Sequence, residues 1–142
     1  MSGSAITDGF VTVFTNASAF GDGNVSKDYR PLDTSGCVIV VQPQRRTTER
    51  IAYGLNGPRR KEYTFFLDMW MKASGDAAND MVRWLTFEDQ VELELQVNED
   101  VNDTVDMMGE IRLERPRDAA WEYGGQLWYR TFCEVDVLKD NV

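Results

Sequence analysis

The stretch from Glu62 to Lys72 constrains this chain most. Tyr63, Phe65, Leu67, Met69 and Met71 alternate there with Thr64, Phe66, Asp68 and Trp70. A period of two places the first set on one side of an extended strand and leaves a mixed second side. A strand so divided belongs to a sheet whose apolar face is covered by another layer. Upstream, Cys37 to Gln42 reads Cys-Val-Ile-Val-Val-Gln, a short β-branched run bounded by Gly36 and Pro43. It is expected to be a strand covered on both faces. The two strands are expected to pair as a long hairpin through a polar excursion from Gln44 to Lys61.

Helical periodicity lies on either side of this hairpin. Ile6, Phe10, Val13, Phe14 and Ala17 fit one face of a short helix within residues 3–20, with Ser4 or Thr7 as cap. The β-branched Val11, Thr12, Val13 and Thr15 weigh against it. Turn formers from Gly21 to Gly36, with Pro31 among them, predict an irregular linker. Beyond Ser74-Gly75-Asp76, the residues Ala77, Met81, Trp84, Phe87, Val91 and Leu95 recur at spacings of three or four. They predict a helix over 76–97. Val91 to Val97 also alternates as a strand would, which would end the helix near 90; the helix-forming Glu, Leu and Gln favour continuation.

Residues 98–109 are acidic and turn-like, Glu110 to Glu114 alternates as a strand, and Pro116 stops it. A loop over 117–125, ending in Gly124-Gly125, leads to a last strand, Gln126 to Leu138. On it Leu127, Tyr129, Thr131, Cys133, Val135 and Val137 share a face. The order α-β-β-α-β-β predicts one α+β domain over 1–142, a four-stranded mainly antiparallel sheet packed by two helices, with a long Arg-rich hairpin excursion.

Composition then removes classes of chemistry. With 142 residues, 15 Lys and Arg against 24 Asp and Glu, and a formal charge of −9, there is no net basic field to grip nucleic acid. The absence of histidine excludes Ser-His-Asp and Cys-His nucleophiles and His-ligated metals. Cys37 and Cys133 stand apart in apolar runs, without metal spacing, and read as buried free thiols. The sequence has no apolar run of about 18 residues, and Met1-Ser2-Gly3-Ser4 does not begin a signal peptide. These features suggest a soluble protein of a reducing cytoplasm, without membrane contact. Paired acids such as Glu88 and Asp89, or Glu92 and Glu94, read as a solvated face, since Glu92, Glu94 and Glu99 sit among polar neighbours on a predicted outer face. Asp100, Asn102, Asp103 and Asp106 lack the Gly and terminal Glu of a calcium loop. The glycine clusters at 21–24 and 54–57 match no phosphate-binding motif, so no cofactor and no enzyme activity are expected.

The strongest local anomaly is the excursion itself. Arg45, Arg46, Arg50, Arg59, Arg60 and Lys61 face a single acid, Glu49, in an otherwise acidic chain. Three readings fit: a solvated hairpin tip, a docking surface for the acidic face of another subunit, or direct DNA contact with scant aromatic or apolar interleaving from Ile51 and Tyr53. Trp70 and Trp84 fit core positions. Trp121 and Tyr123, in a Gly-rich loop, need a surface to cover them, and a subunit contact is expected there.

Taken together, the elements resemble the tail terminator proteins of long-tailed, lambda-like bacteriophages. The resemblance rests on the N-terminal helix, the buried strand Cys37 to Val41 after Pro31, the Arg-rich hairpin and the aromatic strand Tyr63 to Met71. The helix of 76–97, the strand at 110–114, and Gly124 and Gly125 before the Trp128-bearing last strand complete it. The resemblance implies a virion protein, assembled in the host cytoplasm, that forms a homohexameric ring at the head-tail junction. Such a ring stops growth of the tail tube, meets the tail tube protein on one side and a head-completion or neck protein on the other, and lets DNA pass without specific binding. The alternatives are another neck or tail-tube structural protein, and a small hydrolase working through carboxylates.

Overall fold

The computed structural model describes residues 3–17, 25–26, 37–50, 59–116, 120–123 and 125–140. The elements run α1 (Gly3–Asn16), β1 (Val25–Ser26), β2 (Cys37–Arg50), β3 (Arg59–Lys72), α2 (Ala77–Val97), β4 (Met107–Glu114), β5 (Ala120–Tyr123) and β6 (Gln126–Asp140). The fold is α+β: two helices and four long antiparallel strands in the order α-β-β-α-β-β, as the sequence predicts. Two short strands extend it. The sheet order is β1-β2-β3-β6-β4, and β5 also pairs with β6.

β3 is central because its alternation serves the layer beneath it. Phe65, Leu67 and Met71 are fully buried and Tyr63 and Met69 nearly so. They join Ile39 and Val41 of β2 and Cys133, Val135 and Val137 of β6 in one core cluster with both helices. α1 contributes Ile6, Phe10, Val13 and Phe14, and the Phe10 and Phe65 rings lie 4.9 Å apart. Thr7 and Thr12 are accommodated by donating their hydroxyls to the carbonyls of Gly3 and Asp8, one turn earlier. Gly9 is fixed by close approach: a Cβ there would stand 2.5 Å from the Val101 carbonyl oxygen. Val101 itself, with Asn102 and Asp103, has positive φ, in a tight left-handed turn that Val101 anchors by complete burial.

α2 starts at Asp76, whose carboxylate accepts from the Asn79 amide at 3.3 Å. The helix continues to Val97, so the strand-like alternation at 91–97 yields to helical spacing. Val91 and Leu95 are buried one turn apart, while Leu93 and Val97 face outward. Ala77 and Met81, expected on the buried face, are exposed instead. Asp80 takes the inward position and is held by the Ser74 amide and hydroxyl and by Arg83. These hydrogen bonds, that with the Ser74 hydroxyl foremost, keep its carboxyl below the ordinary range.

Five sequence expectations change. β2 does not stop at Pro43 but runs on to Arg50, because a bulge between Pro43 and Arg45 absorbs the proline. β3 begins at Arg59, so both flanks of the expected excursion are strand, and residues 51–58 lie outside the described part. Within the linker expected over 21–36, Val25–Ser26 pairs in parallel with Ile39–Val40, and the remainder lies outside the described residues. β4 starts at Met107 rather than Glu110. The loop expected over 117–125 contains β5, which folds back on β6 through a turn with Gly125 at φ +78°, a value glycine adopts without strain; residues 117–119 and 124 are outside the described part. Cys37 and Cys133 are free, as expected; Cys133 is buried, whereas Cys37 is only half-buried.

The second face of the sheet is built differently. Val38, Val40, Trp70 and Trp128 form a small buried cluster there. This gives β2 the two covered faces its sequence predicts and makes Trp70 a core residue; Trp84 is buried under α2. Beside the cluster, Asp68 and Arg130 make a bidentate pair at 2.6 and 2.8 Å, both nearly excluded from water. The Arg130 guanidinium lies over the Trp70 ring at 4.4 Å and the Phe132 ring at 4.6 Å.

Candidate assembly surface

The bulge at Gln44 decides where the basic residues go. It advances the β2 chain by one residue against β3, so that Arg45 pairs with Thr64 and Arg46 with Tyr63. Thr64 donates to Asp136 on the outer face at 2.9 Å, so Arg45 shares that face. Arg46 falls on the helix-covered side, in one row with Tyr63 and Val137. Without the extra residue the two arginines would exchange sides.

Beyond the Tyr63 row the core ends and an arm begins. Thr47 and Thr48 are exposed and Arg59, Arg60 and Lys61 half-buried. The arm is three strands wide, since β6 follows β3 to its end. Lys61 stands between Thr48 and Lys139, and Arg60 between Glu49 and Asp140. Five of the predicted basic residues, Arg45, Arg46, Arg59, Arg60 and Lys61, are thus gathered in adjacent rows. Arg50 holds the end of β2 opposite Arg59, and its side chain is outside the described part. The cations divide between the two sides of the arm instead of forming one stripe. Lys139, one residue past the strand expected to end at Leu138, joins them through register.

Two clefts open at the root of the arm. One, of about 300 Å³, is lined by Gly3, Pro43, Gln44, Arg45, Arg46 and Tyr63. The other, of about 350 Å³, lies on the outer face between Gln44, Arg45, Thr64 and Glu134. Next to the second, Arg112 bridges Glu110, Glu134 and Asp136 at 3.2, 3.0 and 2.8 Å. Hydrogen bonding from Arg112 is the main reason the Asp136 carboxyl sits below its usual value.

Trp121 and Tyr123 are not brought to the arm. They lie on β5, opposite Trp128 and Gln126, at the other end of β6. The expectation that they sit in a loop is corrected to a strand; their side chains lie outside the described residues. Sequence reading also missed a polar chain under α2. Trp84 Nε1 donates to Thr131 Oγ1 at 2.7 Å, Thr131 Oγ1 to Glu88 at 2.7 Å, and Arg115 closes on Glu88 at 2.7 and 3.1 Å. Arg115 also covers the Trp84 ring at 4.5 Å. Glu88, expected on a solvated acidic face, is instead half-buried and engaged as a structural acceptor. Its only sequence signal was a carboxylate one helical turn from an inward tryptophan. Among the described residues, no group of three or more Cys, Asp or Glu could hold a metal ion, and no helix is long and apolar enough to cross a membrane.

Comparison with known proteins adds no constraint: no protein-family model matches this chain, and no curated protein matches it.

Proposed function

We propose that this protein is a structural ring subunit of the phage tail-terminator kind, which ends a tail tube and offers a surface to a head-completion or neck protein. The observation that carries the reading is the arm. Three strands run on past the last core row, and with the bulge at their root they carry a concentration of cations. Outside residues 44–61 the sequence has nine basic residues against 23 acids. A basic projection on an otherwise acidic body is complementary to the body of another copy and not to itself. Such a contact is heterologous, and it builds a ring when its rotation closes and a filament when it does not. The net negative charge suits a lumen through which DNA must slide without being held, because phosphate is repelled rather than bound. On this reading the protein has no catalytic role and needs no cofactor.

Light scattering and electron microscopy of the purified protein, alone and with purified tail tubes, test the proposal. Closed rings, or protein seated at one end of the tube, are expected. Unlimited filaments would assign it instead to the tube. A monomer that also fails to bind tubes would overturn the ring.

A further inference from the structure

The outward side of α2 carries an unusual ridge. Met81, Leu85, Leu93 and Val97 stand on it at intervals of four residues or twice four, with Asp89 at its centre. Their side chains are exposed, Leu93 by 55% and Val97 by 65%, and Val82 beside them by 63%. The ridge winds around the side of α2 away from Trp84, Phe87, Val91 and Leu95, which pack into the core, and among the described residues it stays exposed. Met81, Val82 and Leu85 make one apolar group and Leu93 and Val97 a second, on either side of Asp89, and exposed apolar groups clustered in this way mark a contact site.

Its chemistry restricts the occupant. Two copies of α2 crossing about a two-fold axis at the centre of the ridge would bring one Asp89 against another, which like charge disfavours. The covering surface must instead supply a cation at the middle and apolar area on either side. Arginine does both, since its aliphatic stem covers hydrocarbon while the guanidinium pairs with a carboxylate. Arg45 and Arg46 are exposed at the root of the arm. The cleft beside them has Pro43 and Tyr63 in its walls and a volume of about 300 Å³, enough for ridge side chains.

We propose that the exposed ridge of α2 seats the basic arm of a second copy of this chain, with Asp89 directed to Arg46 in the cleft at the arm's root. The inference rests on the ring reading and names its two mating surfaces.

The test uses the full chain with the photoreactive residue p-benzoylphenylalanine in place of Leu93, mixed with isotopically labelled protein and irradiated. Mass spectrometry is expected to find intermolecular cross-links to peptides from the strands of the arm, 43–50 or 59–63. Cross-links to α2 of another copy, to any other surface, or only within one chain would overturn the inference. In parallel, Asp89→Arg and Arg46→Glu are each expected to weaken self-association by at least about tenfold, and their combination to restore much of it. Both sites are exposed, and circular dichroism confirms that the variants fold. Rings that form with Asp89→Arg unchanged would refute this seat while leaving the ring intact. A chain that neither self-associates nor binds tail tubes would refute the ring and this seat together.

Discussion

The two faces of the sheet are made by the same strands and stabilised in different ways. The face under the helices is hydrocarbon: Phe65, Leu67, Met71, Val135 and Val137 exclude water completely, and the buried Thr131 hydroxyl is satisfied by Trp84 and Glu88. The outer face alternates with it residue by residue, yet holds the Asp68–Arg130 pair and the Arg112 cluster. On the first face a substitution costs what a cavity costs. On the second it costs what an abandoned charge costs, and that depends on whether the partner is removed as well.

Substitutions on each face can break this comparison. The largest effect is expected from Phe65→Ala, a fully buried ring against Phe10, with a loss of about 3–5 kcal/mol in denaturant unfolding. A loss below about 1 kcal/mol would show that the helix layer collapses into the gap. Next, Asp68→Leu alone strands a buried guanidinium and should cost about 3 kcal/mol. Asp68→Leu with Arg130→Met should recover most of that, because a well-packed apolar pair replaces a desolvated ionic one. If the double variant is as unstable as the single, the pair stabilises beyond its desolvation.

Arg112→Ala is a smaller perturbation, since the guanidinium is a third exposed and water screens it; about 1 kcal/mol or less is expected. Its signature is pH dependence. The Asp136 carboxyl is held below its ordinary value of 3.8, so its contribution is complete above that pH and disappears as pH falls through the depressed value. Stability curves of the native chain and Arg112→Ala should therefore differ near neutrality and converge in acid. The smallest effect is one of reactivity. Burial, the main cause in each case, pushes the Cys133 thiol up to about 12 and that of Cys37 up to about 11. Both belong to the helix-covered face. At neutral pH a thiol reagent should leave Cys133 unmodified until the protein is unfolded, and rapid modification of the native chain would show that this face opens.

What the sequence disclosed was the periodic part. Tyr63 to Met71 announced both the strand and its inward side, because every second residue is apolar. Trp84, Phe87, Val91 and Leu95 announced the buried stripe of α2. The continuation of β2 past Pro43 was hidden, since a proline and a run of polar residues resemble a loop whenever the neighbouring strand is unknown. β5 was hidden for the same reason, with only Gly124-Gly125 hinting at the turn. For the candidate surface, the sequence supplied the cluster of cations; their division between two sides of the arm required the one-residue bulge at Gln44.

By itself, then, the sequence determined the α+β class, the order of the long elements, the inward faces of β3 and α2, and a basic segment on an acidic chain. These follow from spacing along a single segment, which local geometry converts directly into faces. Only the tertiary structure decided that Asp68 meets Arg130 across 62 residues, that Glu88 ends a chain of hydrogen bonds from Trp84, and that β6 turns the hairpin into a three-stranded arm. It also left the Met81 to Val97 ridge uncovered. Such facts depend on which distant segments lie side by side and in what register. That is settled by burying the whole core at once, and no single segment's periodicity records it.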